Sequence, residues 1–102
     1  QFRLADLAIE LEAARLFLYA AAAAYDRGDA DKTKRIAMAK RFVTDTGFEV
    51  ANGALQLLGG YGYLSEYGME KIVRDLRVHQ ILEGTNEIMR LIVARALLAE
   101  QN

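Results

Sequence analysis

A glutamate stands at a predicted turn near the C-terminal end of the sequence, in the segment HQILEGTNEIMR, residues 79–90. Ile81 and Leu82 precede Glu83, and Gly84 follows it. Burial raises the pKa of a carboxyl group because it disfavours the charged form, and a general base that works near neutrality benefits from that change. Most glutamates in turns are simply solvated. From the residue pattern alone, Glu83 is therefore either a surface residue or a proton-abstracting base.

The segment QLLGGYGY, residues 56–63, places two adjacent glycines after an apolar stretch. Glycines leave the backbone N–H groups free to approach a phosphate or another backbone. The segment lacks the G-x-G-x-x-G spacing and a preceding strand, so it is not a dinucleotide-binding fingerprint. The simpler interpretation is a helix end followed by a loop that Tyr61 and Tyr63 pack against the fold.

The segment RDLRVHQ, residues 74–80, is typical of a solvated helix face. Arg74, Asp75 and Arg77 are spaced for local ion pairs, each worth roughly a few tenths of a kcal/mol. His79 is the single histidine in the chain, and a lone histidine is more often a hydrogen-bonded packing residue than a catalyst. With one histidine and no cysteine, the sequence gives no reason to expect a metal site.

The composition bounds the class of protein. The chain has 102 residues, 53% of them hydrophobic and 26% charged, with a formal charge of −1, which indicates one globular domain. No basic stripe runs along any segment, so a nucleic-acid partner is not expected. The longest apolar run covers residues 16–25, and a membrane span needs roughly 20 residues, so none is predicted. The chain starts without a methionine, directly in helical periodicity, and we expect it to be a piece of a longer protein.

The absence of proline and the clustering of the glycines are typical of long helices joined by short turns. The predicted fold is all-α, an antiparallel up-and-down bundle of about four helices. The first helix is predicted over Phe2–Arg27 with Gly28 as its C-terminal cap. The second is predicted from a side-chain cap at Asp29 or Asp31 to about Leu58.

The second half of the chain is predicted to hold two further helices. A loop over Leu57–Gly68 precedes the third helix, which Ser65 is expected to cap and which should fade near Leu82. Thr85 is expected to cap the fourth helix, and Glu87 lies in its first turn, where the helix dipole favours an acidic side chain.

Apolar residues at helical spacing define the predicted core faces. These are Leu4, Leu7, Leu11, Ala14 and Leu18 in the first helix; Ile36, Ala39, Val43, Val50, Ala54 and Leu57 in the second; Met69, Ile72, Val73 and Leu76 in the third; and Ile88, Leu91, Ile92 and Leu98 in the fourth. The second helix also has a polar stripe of Asp45, Glu49, Asn52 and Gln56. Gly47 and Gly53 lower its helix propensity by about 1 kcal/mol each relative to Ala, which we attribute to close approach of a neighbouring helix. The fourth helix is apolar most of the way round, so it is predicted to be central or covered by a partner.

The segment GGYGYLSEYGMEKIVRDLRVHQILEGTNEIMRLIVARALL, residues 59–98, closely resembles the C-terminal helical domain of acyl-CoA dehydrogenases. The motifs Q-x-x-GG-x-G-Y, then RD, then EGT-x-E-I-x-R carry the resemblance, which extends more loosely to the first two helices. It implies that residues 1–102 form this C-terminal domain, without the family's N-terminal helical and middle β-domains. The segment RVHQILEGTNEIMR looks most like isobutyryl and short-branched members.

The resemblance implies an activity. The family oxidises acyl-CoA thioesters to 2,3-enoyl-CoA with FAD: a carboxylate removes the pro-R α-proton while the β-hydrogen leaves as hydride. In the branch that includes the medium-chain, short-chain and isobutyryl-CoA enzymes, the base is the glutamate of EGT, which is Glu83 here. Two alternatives stay open, namely an acyl-CoA oxidase or related flavoenzyme on the same fold, and a non-catalytic helical assembly module.

The resemblance also assigns roles to other positions. FAD contacts are implied for Gln56, Leu57, Leu58, Gly59 and Gly60, which reach FAD held by a neighbouring subunit, and for Thr85, Asn86 and Glu87. The backbone of Glu83 matches the donor that polarises the thioester carbonyl, Gly84 keeps the approach of the acyl chain open, and Arg95 matches an arginine near the CoA portion.

Implied partners are an acyl-CoA substrate and an electron-transferring flavoprotein as electron acceptor. The intact enzyme is expected to be a homotetramer in the bacterial cytoplasm or the mitochondrial matrix. The 102-residue chain alone is expected neither to hold FAD tightly nor to turn over acyl-CoA.

Overall fold

The computed structural model describes residues 1–64 and 68–100, and over these ranges the chain forms four α-helices and one short 3-10 helix. The α-helices are α1 (Phe2–Arg27), α2 (Lys32–Leu58), α3 (Met69–His79) and α4 (Asn86–Glu100), and the 3-10 helix covers Gly59–Tyr63. The described residues contain no strand. The prediction of an all-α fold with about four helices is confirmed.

The turn between α1 and α2 confirms one predicted cap and corrects another. Gly28 has φ 70° and ends α1 in the left-handed conformation. Asp31 occupies the N-cap position of α2 but makes no side-chain capping bond. Its carboxylate instead accepts a hydrogen bond from Nε of Arg35 at 2.9 Å, and Asp29 pairs with Arg27 at 2.9 Å. The predicted capping by Asp29 or Asp31 is wrong because each carboxylate has an arginine within reach.

The third helix is shorter than predicted. It ends at His79, and residues 80–84 form turns in place of the helical residues expected up to Leu82. Its predicted cap, Ser65, lies outside the described residues. The early end of α3 matters because it leaves Glu83 on a connecting turn.

Helix α2 is the centre of the fold. It packs against α1 on one side and against α3 and α4 on another. Asn52 and Leu55 line a shared groove with Val73 of α3, and further back along α2, Lys34 pairs with Glu100 at the far end of α4. Both α3 and α4 therefore run antiparallel to α2, and they follow one another along its length. Their junction lies beside the middle of α2.

Small side chains form the seam between α1 and α2. Leu7, Ala14 and Ala21 recur every seven residues on α1 and are buried to 4%, 3% and 4% exposure. Because alanine side chains are small, they let two helices approach closely, and the line of contact between α1 and α2 runs along them. Leu4, Leu11 and Leu18, which were predicted on this face, are 62%, 45% and 47% exposed. The predicted stripe was too wide, because only its Leu7 and Ala14 are buried.

The two interior glycines of α2 have different surroundings. A Cβ on Gly53 would lie 2.9 Å from Cδ2 of Leu7, so the predicted close approach of a neighbouring helix is confirmed there. A Cβ on Gly47 would meet nothing within 4 Å, so the same explanation is wrong for Gly47.

Helix α4 lies on the outside of α2 and is not the central helix. Met89 is buried at 9% exposure, and Ile92 and Val93 are half-buried. Leu91 and Leu98, expected on the main core stripe, are 43% and 64% exposed. The face of α4 that packs against α2 is therefore the one that carries Met89, and Leu91 and Leu98 form an apolar surface that faces outwards. Of the described helices, none is long and apolar enough to cross a bilayer.

Candidate functional site

The site is the turn between α3 and α4, with Glu83 at its apex. The N–H groups of Ile81 and Leu82 both donate to the carbonyl of Val78 at 2.9 Å, which closes the end of α3. The N–H of Asn86 then donates back to the carbonyl of Gln80 at 3.1 Å and brings the two ends of the turn together. The connection is thus a closed loop, and the chain reverses locally around Glu83.

Two consecutive residues of this loop have positive φ. Glu83 has φ 57° and Gly84 has φ 91°, and Glu83 is the only non-glycine residue of the described chain in this region. Side chains other than glycine, asparagine and aspartate rarely adopt it. A Cβ on Gly84 would also lie 2.9 Å from Cε of Met89. Backbone strain at an acidic residue is the kind of feature that clusters at functional positions.

The loop offers unpaired backbone donors next to the carboxylate. The N–H groups of Glu83, Gly84 and Thr85 make no hydrogen bond with any described residue. Glu83 and Gly84 are exposed, so these donors face outwards. A carboxylate and adjacent free N–H groups together provide a proton acceptor and a donor for a carbonyl oxygen.

Lys40 of α2 holds the loop on its C-terminal side. Its ammonium donates to the carbonyl oxygen of Gly84 at 2.7 Å and to Oδ1 of Asn86 at 2.6 Å. Asn86 is 3% exposed, which makes it the one buried polar residue in the described chain. Lys40 therefore bridges two groups that flank Thr85.

Asp45, also on α2, holds both ends of the loop. Its Oδ1 accepts hydrogen bonds from Nε2 of Gln80 at 2.8 Å and from Nδ2 of Asn86 at 2.5 Å. Arg41 and Arg90 lie 3.2 and 3.5 Å from Oδ2 of the same carboxylate. Asp45, one of the residues of the predicted polar stripe, is thus an ion-paired anchor of the loop.

The side chain of Glu83 is exposed, so no described residue shields its carboxylate from water. Ile81 and Leu82 are themselves 51% and 46% exposed, so they do not cover the carboxylate. Within this chain the acid is presented at the surface.

The residues after the acid begin α4 as predicted. Oγ1 of Thr85 accepts a hydrogen bond from the N–H of Ile88 at 3.3 Å, which confirms Thr85 as the cap. Glu87 lies in the first turn with its side chain 80% exposed, 3.9 Å from Arg90. Thr85 therefore caps the first turn of α4, and the exposed carboxylate of Glu87 is accessible to an outside group.

The glycine segment forms a second surface at the end of α2. Gly59 has φ 63°, and a Cβ on Gly59 or Gly60 would meet nothing within 4 Å. Every residue from Gln56 to Gly60 is exposed. Tyr61 and Tyr63 are 65% and 76% exposed, so the expectation that they pack the loop down is wrong.

Gly62 holds the segment in place instead. It is buried, and a Cβ there would lie 2.4 Å from the carbonyl oxygen of Leu55. Close backbone contact at a glycine therefore fixes the 3-10 helix against α2.

The chain keeps these two surfaces apart. Lys40, which touches the loop, and Gln56, which begins the glycine segment, are separated by about 24 Å along α2 at 1.5 Å per residue. Arg95 is exposed on α4, about 14 Å along that helix from Asn86. Glu83, Gly84, Thr85, Asn86 and Glu87 are therefore grouped in one site, and Gln56 to Gly60 and Arg95 are not part of it.

The polar segment before the loop has a structural role. Nζ of Lys71 donates to Asp75 at 2.7 Å and Arg74 donates to Glu70 at 2.7 Å, which confirms a solvated face with local ion pairs. The hydrogen bond from Lys71 holds the pKa of Asp75 below its ordinary value. No group of acidic, histidine or cysteine side chains in the described residues is arranged to hold a metal ion.

Sequence reasoning missed the α2 residues that hold the loop, namely Lys40, Thr44 and Asp45. Oγ1 of Thr44 accepts from Nδ2 of Asn86 at 2.9 Å. A weak signal was present: these three polar residues share one face of a helix whose other inward positions are apolar. Their partners are more than 30 positions away in sequence, so periodicity alone gave no link to Glu83.

Comparison with known proteins identifies a family of similar chains. The family model described as acyl-CoA dehydrogenase, C-terminal domain, matches residues 1–98. The mitochondrial isobutyryl-CoA dehydrogenase of Bos taurus is 51% identical over 100 residues, which cover 98% of this chain and 24% of that protein.

Solved structures give the same result. A chain solved in a study of the electron-transferring flavoprotein of Acidaminococcus fermentans and flavin-based electron bifurcation has a TM-score of 0.90 and 44% identity, covering 96% of this chain and 26% of that one. An FAD complex of PigA has a TM-score of 0.87 and 33% identity, covering 93% of this chain and 24% of that one. The chain spans about a quarter of the length of the proteins it matches.

Proposed function

Because the chain belongs to the acyl-CoA dehydrogenase family, we propose that residues 1–102 serve as the C-terminal helical domain of an enzyme that converts an acyl-CoA thioester into the 2,3-enoyl-CoA. The observation that carries the proposal is the Glu83 loop, in which an exposed carboxylate stands beside unpaired backbone N–H groups. The similarity to an isobutyryl-CoA dehydrogenase favours a short branched acyl group.

In the proposed reaction the carboxylate of Glu83 accepts the proton from the carbon next to the thioester carbonyl. That proton is only weakly acidic, so its removal needs stabilisation of the negative charge that develops on the carbonyl oxygen. The unpaired N–H of Glu83 is suited to donate to this oxygen. Gly84 has no side chain, which leaves the acyl group room to approach. Held by the loop, one residue then supplies both the base and a donor.

The flavin-dependence of the family makes FAD the expected cofactor, and the end of α2 fits it as an external contact. The open space around Gly59 and Gly60 and the exposure of Gln56, Leu57 and Leu58 leave this backbone accessible to a phosphate-bearing group. When bound, FAD would accept the β-hydrogen of the acyl group as hydride. This segment lies about 16 Å along α2 from Asp45 and about 24 Å from Lys40, the two residues that hold the loop. We therefore propose that it contacts FAD held by another subunit. Thr85 and Glu87 would contact the FAD beside Glu83, and the buried Asn86 would hold the loop there from within.

The remaining assignments concern the intact enzyme. We propose a homotetramer, supported by the exposed apolar face of α4, with Arg95 near the CoA portion of the substrate. Similarity to a chain from the study of an electron-transferring flavoprotein supports a protein of that kind as the electron acceptor. A mitochondrial relative supports the matrix as the compartment if the source is eukaryotic, and the cytoplasm is proposed for a bacterial source.

Flavin bleaching by acyl-CoA tests the function. The enzyme that contains this chain should lose its oxidised flavin absorbance when mixed anaerobically with isobutyryl-CoA, and more slowly with octanoyl-CoA. Glu83→Gln should slow bleaching by at least about 100-fold, the usual contribution of a positioned general base. Glu49→Gln, which changes an exposed glutamate on α2, is the matched control.

The outcomes separate the alternatives. Bleaching at an unchanged rate in Glu83→Gln contradicts the assignment of the base, and no bleaching with any thioester favours the assembly module. Rapid reoxidation of the reduced flavin by oxygen identifies an acyl-CoA oxidase.

A further inference from the structure

Two residues of α2 with opposite charges, Lys40 and Asp45, hold the loop around Glu83. Lys40 and Asp45 lie five positions apart on one helix. Lys40 holds the Gly84 carbonyl and Asn86, whereas Asp45 holds Gln80 and Asn86. Glu83 lies between Gln80 and Gly84, the loop residues held by Asp45 and Lys40. Its side chain makes no hydrogen bond to the described residues. Its location therefore depends on how the loop is held.

We propose that Lys40 and Asp45 are positioning residues for Glu83, through their contacts with the side chain of Gln80 before it and with the Gly84 carbonyl and the Asn86 side chain after it. This inference rests on the proposed function. It adds that the rate of proton abstraction is controlled from α2, by two residues that touch neither substrate nor cofactor.

Three observations favour a positioning role over general stabilisation. First, the pair converges on Asn86, the buried polar residue at 3% exposure, where a hydrogen bond is shielded from water. Second, Lys40 contacts the carbonyl oxygen of Gly84, the residue immediately after the acid. Third, the held loop has φ 57° at Glu83, a conformation that persists only where the surroundings fix it.

The chain supplies a matched control on the same helix. Lys34 also reaches from α2 to α4, where its ammonium pairs with Glu100 at the opposite end of that helix. Lys34→Met and Lys40→Met each remove one ammonium that joins the same two helices. They differ in that only Lys40 contacts the loop.

The test uses the enzyme that contains this chain, with its flavin bound. Lys40→Met should slow anaerobic flavin bleaching by isobutyryl-CoA roughly 10- to 100-fold, the loss expected from a displacement of about 1 Å at a reacting group. FAD content and the dissociation constant for acyl-CoA should stay within about two-fold of the wild-type values, as for a change that acts on the reaction step. The α-deuterium isotope effect on bleaching should rise, because proton removal becomes more rate-limiting. Lys34→Met should bleach at the wild-type rate, and Lys40→Arg should recover part of the loss.

A second measurement does not depend on activity. Amide hydrogen exchange at the hydrogen-bonded N–H groups of Ile81, Leu82 and Asn86 should become faster in Lys40→Met and stay unchanged in Lys34→Met, because release of the loop lowers its local stability. Exchange in α1 should be unaltered in both variants.

Asp45 provides a second pair of variants if Lys40→Met fails to fold. Asp45→Ala removes the acceptor for Gln80 and Asn86, whereas Asp45→Asn keeps an acceptor oxygen. Bleaching should be slow in Asp45→Ala and closer to wild type in Asp45→Asn.

The failures are distinguishable. The proposed function fails if the wild-type enzyme does not bleach or Glu83→Gln bleaches normally. The positioning proposal fails if the wild type bleaches, Glu83→Gln does not, and Lys40→Met or Asp45→Ala bleaches as fast as Lys34→Met.

Discussion

Glu83 and Gly84 are consecutive residues in the left-handed region of backbone conformation, with φ 57° and 91°. The glycine adopts this conformation without penalty, whereas the glutamate does so at a cost on the order of 1–3 kcal/mol. The chain therefore retains an unfavourable residue at the apex of the loop, where asparagine or glycine would be more stable. That conflict between stability and side-chain identity is expected where the carboxylate is needed for chemistry.

Replacing Glu83 by asparagine should separate the effect of backbone strain on stability from the need for a carboxylate in the reaction. Asparagine tolerates the left-handed conformation, so Glu83→Asn should raise the free energy of unfolding by roughly 0.5–1 kcal/mol relative to Glu83→Gln. Both variants lack the base and should fail to bleach flavin. Urea unfolding followed by circular dichroism compares the two, and equal stabilities would show that the backbone at position 83 is not strained.

Gly84→Ala should be destabilising by about 1–3 kcal/mol, because alanine is strained at φ 91°. The added Cβ also meets the end of Met89 at 2.9 Å. Gly47→Ala is the control, since its site in α2 is open, and it should be stabilising by up to about 1 kcal/mol through helix propensity. Thermal unfolding of both variants checks the opposite signs. A stabilised Gly84→Ala variant would contradict the assigned loop conformation.

Gly62→Ala should loosen the 3-10 helix after α2. Its Cβ would lie 2.4 Å from the carbonyl oxygen of Leu55, a backbone atom that cannot move without disturbing α2. We expect a loss of about 1–3 kcal/mol, as for other overpacked sites. Gly60→Ala, two positions earlier in open space, should change stability by less than about 0.5 kcal/mol. Similar unfolding midpoints for the two variants would show that Gly62 is not in contact with α2.

The stability contributed by the turn between α1 and α2 should fall at acidic pH. The hydrogen bonds from Arg27 and Arg35 hold the pKa values of Asp29 and Asp31 below their ordinary range. Because the folded pKa values are lower than the unfolded ones, the stabilisation is present above pH of about 3.9. It is lost as the pH falls through the folded values.

The double variant Asp29→Asn, Asp31→Asn should therefore have a lower Tm than wild type near neutral pH, with the difference closing on acidification. Scanning calorimetry between neutral and strongly acidic pH measures it. The difference should also shrink in high salt, since both carboxylates are partly exposed to solvent and salt screens their interaction with the arginines. A Tm difference that stays constant with pH would contradict the two arginine contacts.

The local features of this fold were predictable from sequence. Gly28 ends α1 because a glycine after a long helical pattern takes the left-handed conformation cheaply, and Thr85 caps α4 through its own side chain. The identity of the acidic residue at the turn also followed from the motif around Glu83. Each of these inferences depends on residues within a few positions of one another.

Features that depend on contacts between helices were harder to predict. Leu4 and Leu7 are equally apolar, yet only Leu7 is buried, because the choice depends on how α1 is rotated against the alanines of α2. The role of Asp45 was not predicted, because it depends on Gln80 and Asn86 reaching back across the fold. The left-handed backbone at Glu83 is likewise a result of closing the loop and has no sequence signal at a glutamate.

Since α3 and α4 lie end to end along α2, the loop that joins them is held at its two ends and exposed in between. Ile81, Leu82 and Glu83 are all exposed, so their side chains add little to the interior and can be exchanged without rebuilding it. Lys40 and Asp45 of α2 would hold a grafted loop of equal length that keeps Gln80, Gly84 and Asn86. The residues at the apex of the loop can thus change during evolution independently of the helices that hold it.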